Sequence, residues 1–175
     1  MTRQKTFYVV LMIALVAIIS PSSGGQSRRA AQYVVSHDRF GPVKVGMTVS
    51  AASRALGVPL VKEQGMEETC YYVSPRRGFK DVAFMITNGR IARVDISSRG
   101  YATERGARVG DSEARIKSLY RGMVKVSQHP YVDGHYLTVD MNRGRFSLIF
   151  ETDGKRVTSF RAGKSPEVGY IEGCS

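Results

Sequence analysis

The sequence predicts an α+β fold in which two helix-then-β-meander repeats share an antiparallel sheet, with the helices on one face. Two short helical patterns that each end near a glycine, and several runs of alternating apolar and polar residues, support this prediction. A weak internal duplication with an offset of about 65 residues supports it further, because a repeat of that length usually marks one supersecondary unit.

The first 25 residues are typical of a secretory signal peptide. Arg3 and Lys5 precede an uncharged apolar run at 7–19, and small, turn-prone residues follow it. That run is shorter than the roughly 20 residues that a permanent membrane span needs. We therefore predict cleavage of 1–25 and a periplasmic or secreted protein, with a membrane anchor retained at 7–19 as the alternative. Residues 26–38 are predicted to be a linker or an edge strand.

Two cysteines and a strong positive charge limit what the exported part can do. Cys70 and Cys174 form an even pair, which in an exported chain predicts one disulfide. The formal net charge is +11. Outside the cytoplasm such charge points to an anionic envelope polymer or an acidic protein, not to nucleic acid. A membrane partner is expected only through a retained N-terminal anchor.

The first predicted repeat covers residues 39–100. A Val-Gly-Met-Thr motif at 45–48 precedes a helical pattern at 49–56, in which the Thr48 hydroxyl can cap the first turn and Gly57 can end the last one. An Asn-Gly pair predicts a hairpin turn between the last two strands of this repeat. Its strands are predicted at 69–73, 81–87 and 92–96.

The second predicted repeat covers residues 101–163 and has the same order of features. A Val-Gly-Asp-Ser motif at 109–112 precedes a helical pattern, which Asp111 can cap. Val157 and Phe160 fall on opposite parity, which predicts a β-bulge or an early strand end. The strands are predicted at 125–128, 136–141, 145–151 and 156–161. Residues 164–175 are left as a C-terminal tail.

The motif, the glycine-ended helix and the meander together resemble the unit of the BamE (SmpA/OmlA) family. The tandem arrangement over 39–163 is similar to the β-lactamase inhibitory protein family. Envelope-assembly members carry a lipidated cysteine after the signal, and this sequence has none there. The resemblance implies that an open sheet face and its loops bind another macromolecule.

The sheet face away from the helices is the predicted binding surface. Strand parity places tyrosines and arginines on it, and these residues often anchor protein interfaces. The candidate residues are Tyr72, Met85, Arg93, Tyr136, Arg145, Ile149 and Arg161. We predict a non-enzymatic module that binds another envelope protein, or inhibits a hydrolase, through this face. Ordinary cross-strand ion pairing is the alternative interpretation.

A histidine cluster supports a different hypothesis, a small hydrolase with its site in the loop at 129–135. His129, Asp133 and His135 lie there, but their spacing fits no standard zinc pattern. No serine lies in a Gly-x-Ser-x-Gly elbow. We therefore predict no catalytic residue, no metal site and no cofactor. The third hypothesis is a structural envelope protein that binds polyanions, which a steep salt dependence would reveal.

Overall fold

The computed structural model describes residues 33–64 and 69–174. This part of the chain contains strands in two sheets and two short α-helices. In chain order the elements are β1 (Val34–Ser36), β2 (Arg39–Phe40), β3 (Val43–Lys44), α1 (Val49–Leu56), β4 (Leu60–Lys62), β5 (Cys70–Pro75), β6 (Val82–Thr87), β7 (Arg90–Ile96), β8 (Ala102–Thr103), α2 (Glu113–Leu119), β9 (Val124–Gln128), β10 (His135–Met141), β11 (Phe146–Thr152), β12 (Val157–Lys164) and a 3₁₀ helix (Glu167–Gly169). The predicted signal or anchor at 1–25 lies outside the described residues.

The larger sheet has eight strands in the order β4-β5-β6-β7-β12-β11-β10-β9, and all neighbouring strands are antiparallel. The central contact is the pairing of β7 with β12, in which Gly163 lies opposite Arg93. A Cβ atom at Gly163 would lie 2.5 Å from the carbonyl oxygen of Ala92. Glycine is therefore required for the close approach of these two central strands.

The smaller sheet, in the order β3-β2-β1-β8, is mixed, because β1 runs parallel to β8 and antiparallel to β2. The smaller sheet and both helices pack on the same side of the larger sheet, which we call the helix face. Buried apolar side chains from all of these elements form one cluster. Members of this core include Phe40 in β2, Leu56 in α1, Phe84 in β6, Ile116 in α2 and Phe150 in β11.

Both helices begin at the predicted motifs. The Thr48 hydroxyl oxygen accepts a hydrogen bond from an N–H of the first turn of α1, and Gly57, at φ 73°, ends that helix. In α2 the Ser112 hydroxyl has this role. The prediction that Asp111 caps the second helix was wrong, because its carboxylate accepts a hydrogen bond from the backbone N–H of Arg108 instead.

The strands predicted from alternation are confirmed as β5, β6, β7, β9, β10, β11 and β12. The predicted bulge is confirmed as well, because the register between β11 and β12 shifts between Glu151 and Thr152. The strands β2, β3, β4 and β8 were not predicted. Each is two or three residues long, too short for alternation to show.

The predicted fold class was wrong: this is not an α+β fold of two helix-then-meander repeats. The protein is mostly β, with a large antiparallel sheet, a small mixed sheet and, in the described chain, α-helices of only 8 and 7 residues. The paired Val-Gly-x-Thr/Ser motifs mark two capped helix starts. Any short helix needs such a cap, so the similarity of the motifs reflects local hydrogen bonding and does not define a repeated unit.

Candidate functional site

The C-terminal tail, residues 165–174, crosses the other face of the larger sheet, which we call the tail face. The tail leaves β12, forms the 3₁₀ helix and ends at Cys174, which is bonded to Cys70 at the start of β5. The predicted disulfide is thus confirmed, with a Cα–Cα distance of 5.3 Å. It joins positions 104 residues apart and holds the far end of the tail on the sheet, while the near end continues from β12.

The expectation that this face is open to solvent was wrong, because the tail covers it. Met85, Arg93, Tyr136, Ile149 and Arg161 are buried. Of the other two predicted binding residues, Tyr72 is half-buried and Arg145 is exposed at the end of the turn that precedes β11. A partner-binding role for these seven residues stays a prediction, but most of them contact the protein's own tail or its neighbours.

Arg93 is the centre of a polar network beneath the tail. Its Nη1 donates to two tail carbonyl oxygens, at 3.0 Å to Glu167 and 2.7 Å to Tyr170. Its Nε donates to Asp95 at 3.0 Å, and its Nη2 donates to the Tyr72 hydroxyl at 2.5 Å. Burial, followed by the Asp95 charge, raises the pKa of Tyr72 to about 12. Sheet side chains therefore orient the guanidinium that holds the tail.

Arg161 binds the tail in the same way from the next strand. Its Nε donates to the carbonyl oxygen of Val168 at 2.7 Å, and its Nη1 lies 3.4 Å from a carboxylate oxygen of Glu151. The guanidinium also lies over the Tyr136 ring, 5.1 Å from the ring centre. A buried arginine needs such partners, because desolvating an unpaired charge costs several kcal/mol.

The side chain of Glu167 is the tail's own buried charge. Its Oε1 accepts a hydrogen bond from the Thr87 hydroxyl at 2.9 Å and pairs with the Lys164 ammonium at 2.5 Å. Its Oε2 is buried without a hydrogen-bond partner among the described residues. Burial acts to raise the pKa of Glu167, but the bonds from Lys164, the backbone and Thr87 outweigh it and hold that pKa below its usual value.

The two histidines of the predicted hydrolase loop lie on opposite faces of the sheet. His129 stacks on Tyr136, with ring centres 4.7 Å apart, on the tail face. The Nδ1 of His129 accepts from the backbone N–H of Tyr131, so its Nε2 carries the proton that faces Glu151 at 3.1 Å. His135 precedes Tyr136 in β10, so its side chain points to the other face.

His135 and its partners form a second polar contact, on the helix face. Its Nδ1 lies 2.7 Å from a carboxylate oxygen of Glu113, which also accepts from the Thr152 hydroxyl at 2.6 Å. Within residues 33–64 and 69–174, no group of three or more His, Cys, Asp or Glu side chains is placed to hold a metal ion. Nothing in the described chain positively indicates catalysis, and the hydrolase hypothesis stays a prediction.

Sequence reasoning missed an exposed apolar surface beside the disulfide. The rim patch, as we call it, consists of Tyr131 and Val132 in the β9–β10 loop and Tyr170 and Ile171 in the tail, all between 42 % and 65 % exposed. The Tyr131 hydroxyl donates to Glu172 of the tail at 2.5 Å. An open groove of about 560 Å³ lies between the loop and the tail. The sequence signal that could have revealed this patch is two pairs of adjacent apolar residues, Tyr131-Val132 and Tyr170-Ile171, in otherwise polar segments.

Two grooves with basic linings differ in their balance of charge. One, of about 440 Å³, is lined by Arg143, Arg145 and Lys164 and by no carboxylate. The other, of about 530 Å³, follows the β5–β6 loop. Its charged lining residues are Arg76, Arg77, Lys80, Glu63, Asp81 and Asp95. The first groove is therefore the better candidate for an anion.

Fold and site together define a disulfide-closed, mostly β protein whose C-terminal tail covers one face of its main sheet. Within the described residues, no helix has the length and apolar character to span a membrane. No family model and no curated protein matches the chain.

Among solved structures, the chain is similar to the uncharacterized protein YfeY from Escherichia coli. The sequence identity is 13 % and the TM-score 0.51, over 75 % of this chain and 99 % of that chain. This likeness concerns the fold alone. The resemblance to the BamE and β-lactamase inhibitory protein families stays a prediction.

Proposed function

We propose that the protein is an exported, non-enzymatic binding module of the bacterial cell envelope, and that it docks on another protein through the rim patch. The observation that carries this proposal is the grouping of exposed Tyr131, Tyr170 and Ile171 around one groove beside the disulfide, with exposed Val132 next to Tyr131 in the chain. Contiguous exposed apolar residues are typical of interaction sites, whereas isolated ones are ordinary. The disulfide supports export, because such bonds persist in oxidising compartments.

Order favours this surface. The net charge of the whole chain, +11, would attract an acidic partner at long range but does not single out the rim patch. The disulfide and the bond from Tyr131 to Glu172 hold the tail against the loop. A surface that is ordered before binding loses less conformational entropy on association. A hydrolase is one class of partner that would fit the proposal.

The test uses a matched pair of double variants of the exported protein. Val132→Ser with Ile171→Ser removes the aliphatic half of the rim patch, while Val61→Ser with Val126→Ser removes equally exposed side chains elsewhere. A photo-cross-linker at position 131 first identifies the partner, which is then purified for binding measurements. We expect the rim-patch variant to weaken binding by about tenfold or more, as for central interface residues, and the control pair to have little effect. Equal weakening by both pairs would refute the proposal.

A second candidate function, binding of an anionic envelope polymer, is supported by the groove that carboxylates do not line. Replacing Arg143 and Arg145 by glutamine should reduce the salt dependence of polymer binding, because fewer counterions are then released. The control removes Arg76 and Arg77, which share their groove with three carboxylates. Equal effects of the two substitutions would mean that the net charge of the protein, and not this groove, determines polymer binding.

A further inference from the structure

The sheet holds its own tail mainly through the tail's backbone. Arg93 donates to the carbonyl oxygens of Glu167 and Tyr170, and Arg161 donates to that of Val168. Carbonyl oxygens are the same in every residue, so these three hydrogen bonds depend on the path of the chain and not on its sequence. Another peptide that follows the same path could accept them equally well.

Two tail side chains make this recognition selective. The Glu167 carboxylate bonds to Thr87 in β6 and to Lys164 in β12, both of which belong to the sheet. Val168 is 2 % exposed and packs with Tyr136 and Ile149 in a small apolar cluster, separate from the main core. The face therefore selects an acidic residue that is followed by an aliphatic one.

The tail face is oriented independently of the tail. Arg93 is also bonded to Asp95 and to the Tyr72 hydroxyl, while Arg161 pairs with Glu151. These contacts all lie within the sheet, so they remain when the tail leaves. The donors are then already aimed at an incoming carbonyl group, which lowers the ordering cost of binding.

The disulfide is the covalent hold at the far end of the tail, and it is accessible. Cys70 and Cys174 are each half-buried and line the open groove beside Tyr131 and Tyr170. A dithiol reductant can supply two electrons and two protons to this bond. The S–S bond then breaks, both cysteines become thiols, and the two thiols of the reductant form a disulfide.

From these contacts we infer that the tail face is a latent peptide-binding site, which the tail occupies while the Cys70–Cys174 disulfide is intact. After reduction of the disulfide the site accepts a segment of another protein in which an acidic residue precedes an aliphatic one. This site lies beneath the tail and overlaps the rim patch only at the tail residues Tyr170 and Ile171. It uses the residues that strand parity first grouped on one face. The protein's own tail then competes with the partner for this site, and the order of Glu167 and Val168 in the tail is the order that the partner's segment must have.

The test compares binding of a fluorescent peptide with the sequence of residues 165–173 under oxidising and reducing conditions. The protein is the full chain with Glu167→Gln and Val168→Ser, which weakens its own tail and leaves the disulfide in place. We expect the peptide to bind about a hundredfold more tightly after dithiol treatment, because the tail is no longer held at both ends. A peptide with the same Gln and Ser replacements should bind weakly, and adding Arg161→Met to the protein should weaken binding of the native peptide by about tenfold or more.

Equal affinity in the oxidised and reduced protein, or equal binding of the native and substituted peptides, would overturn the inference. A second measurement on the unsubstituted protein covers the case in which the variant unfolds. Reduction should speed hydrogen exchange at the amides of Gly169 and Tyr170, which donate within the tail, while β7 and β11 stay protected. Unchanged exchange in the tail, or unfolding of the whole sheet, overturns the inference as well. Val132→Ser, which changes the rim patch outside the tail, should leave peptide binding unchanged, so the two proposals can fail separately.

Discussion

The two faces of the eight-stranded sheet are both buried, but by different means. The helix face contacts two helices and a second sheet through an apolar cluster of many side chains. The tail face contacts one short segment through buried charges, with Tyr136, Ile149 and Val168 as its small apolar cluster. The same strands supply both faces: Phe150 of β11 lies in the main core, while its neighbour Ile149 faces the tail.

The comparison shows that polar side chains on one face of a strand do not mean that this face is exposed to solvent. Apolar burial on the helix face is non-directional and tolerates small adjustments. Burial of Arg93 and Arg161 depends on particular acceptors, because an unpaired buried charge is unstable. A substitution on the helix face should therefore weaken the whole fold, whereas one on the tail face should first release the tail.

The largest effect is expected for Phe150→Ala on the helix face. Phe150 is fully buried and contacts the rings of Tyr120 and Phe160. Truncation leaves a cavity, and the free energy of unfolding should fall by about 3–5 kcal/mol. Urea unfolding with the disulfide intact measures this loss, and Val126→Ala, at an exposed position, is the control. A loss below about 1 kcal/mol would show that the core relaxes around the gap.

A smaller, more local effect is expected for Arg161→Met on the tail face. The substitution keeps an unbranched side chain but leaves the Val168 carbonyl and one Glu151 oxygen without their donor. We expect a loss of about 1–3 kcal/mol, seen first as faster hydrogen exchange at Gly169 and Tyr170. Arg145→Met, at an exposed position, should change stability by no more than about 0.5 kcal/mol. Uniform loss of protection across both faces would contradict the proposed difference between them.

The alternation of apolar and polar residues predicted the long strands and also which residues share the tail face. Met85, Arg93, Tyr136, Ile149 and Arg161 were grouped correctly, because side-chain direction in a strand follows from period two alone. The cysteine pair predicted the disulfide, since two cysteines in a chain with a predicted signal peptide are expected to pair.

What covers the tail face could not be predicted. Residues 165–174 have no periodicity, and Pro166 and Gly169 interrupt any regular pattern. Their position follows from long-range bonds such as that from Arg93 to the Glu167 carbonyl, which leave no local trace in the sequence. The fold class failed for a related reason: β8 exists only through its pairing with the distant β1, and β2, which pairs with its chain neighbours β1 and β3, is too short to show alternation.

The smallest effect, and the most specific to the tail face, concerns Glu167 and pH. The pKa of Glu167 lies below its usual value, so the ionised carboxylate stabilises the docked tail. This contribution is complete above the unfolded pKa of roughly 4.3 and is lost as the pH falls through the lower folded value. Glu167→Gln should therefore cost about 1 kcal/mol of tail protection near pH 6 and less near pH 3.

Hydrogen exchange of Gly169 and Tyr170 at the two pH values measures the effect of Glu167→Gln. Glu113→Gln is the matched control, because hydrogen bonds from Thr152, His135 and Lys117 outweigh burial and lower the pKa of Glu113 on the opposite face. That control should weaken the contact between α2 and the sheet and leave tail exchange unchanged. If both substitutions affect the tail equally at pH 6, the two faces are coupled and the tail does not leave on its own. If only Glu167→Gln affects it, the tail is an independent unit on an otherwise intact sheet, as the latent peptide site requires.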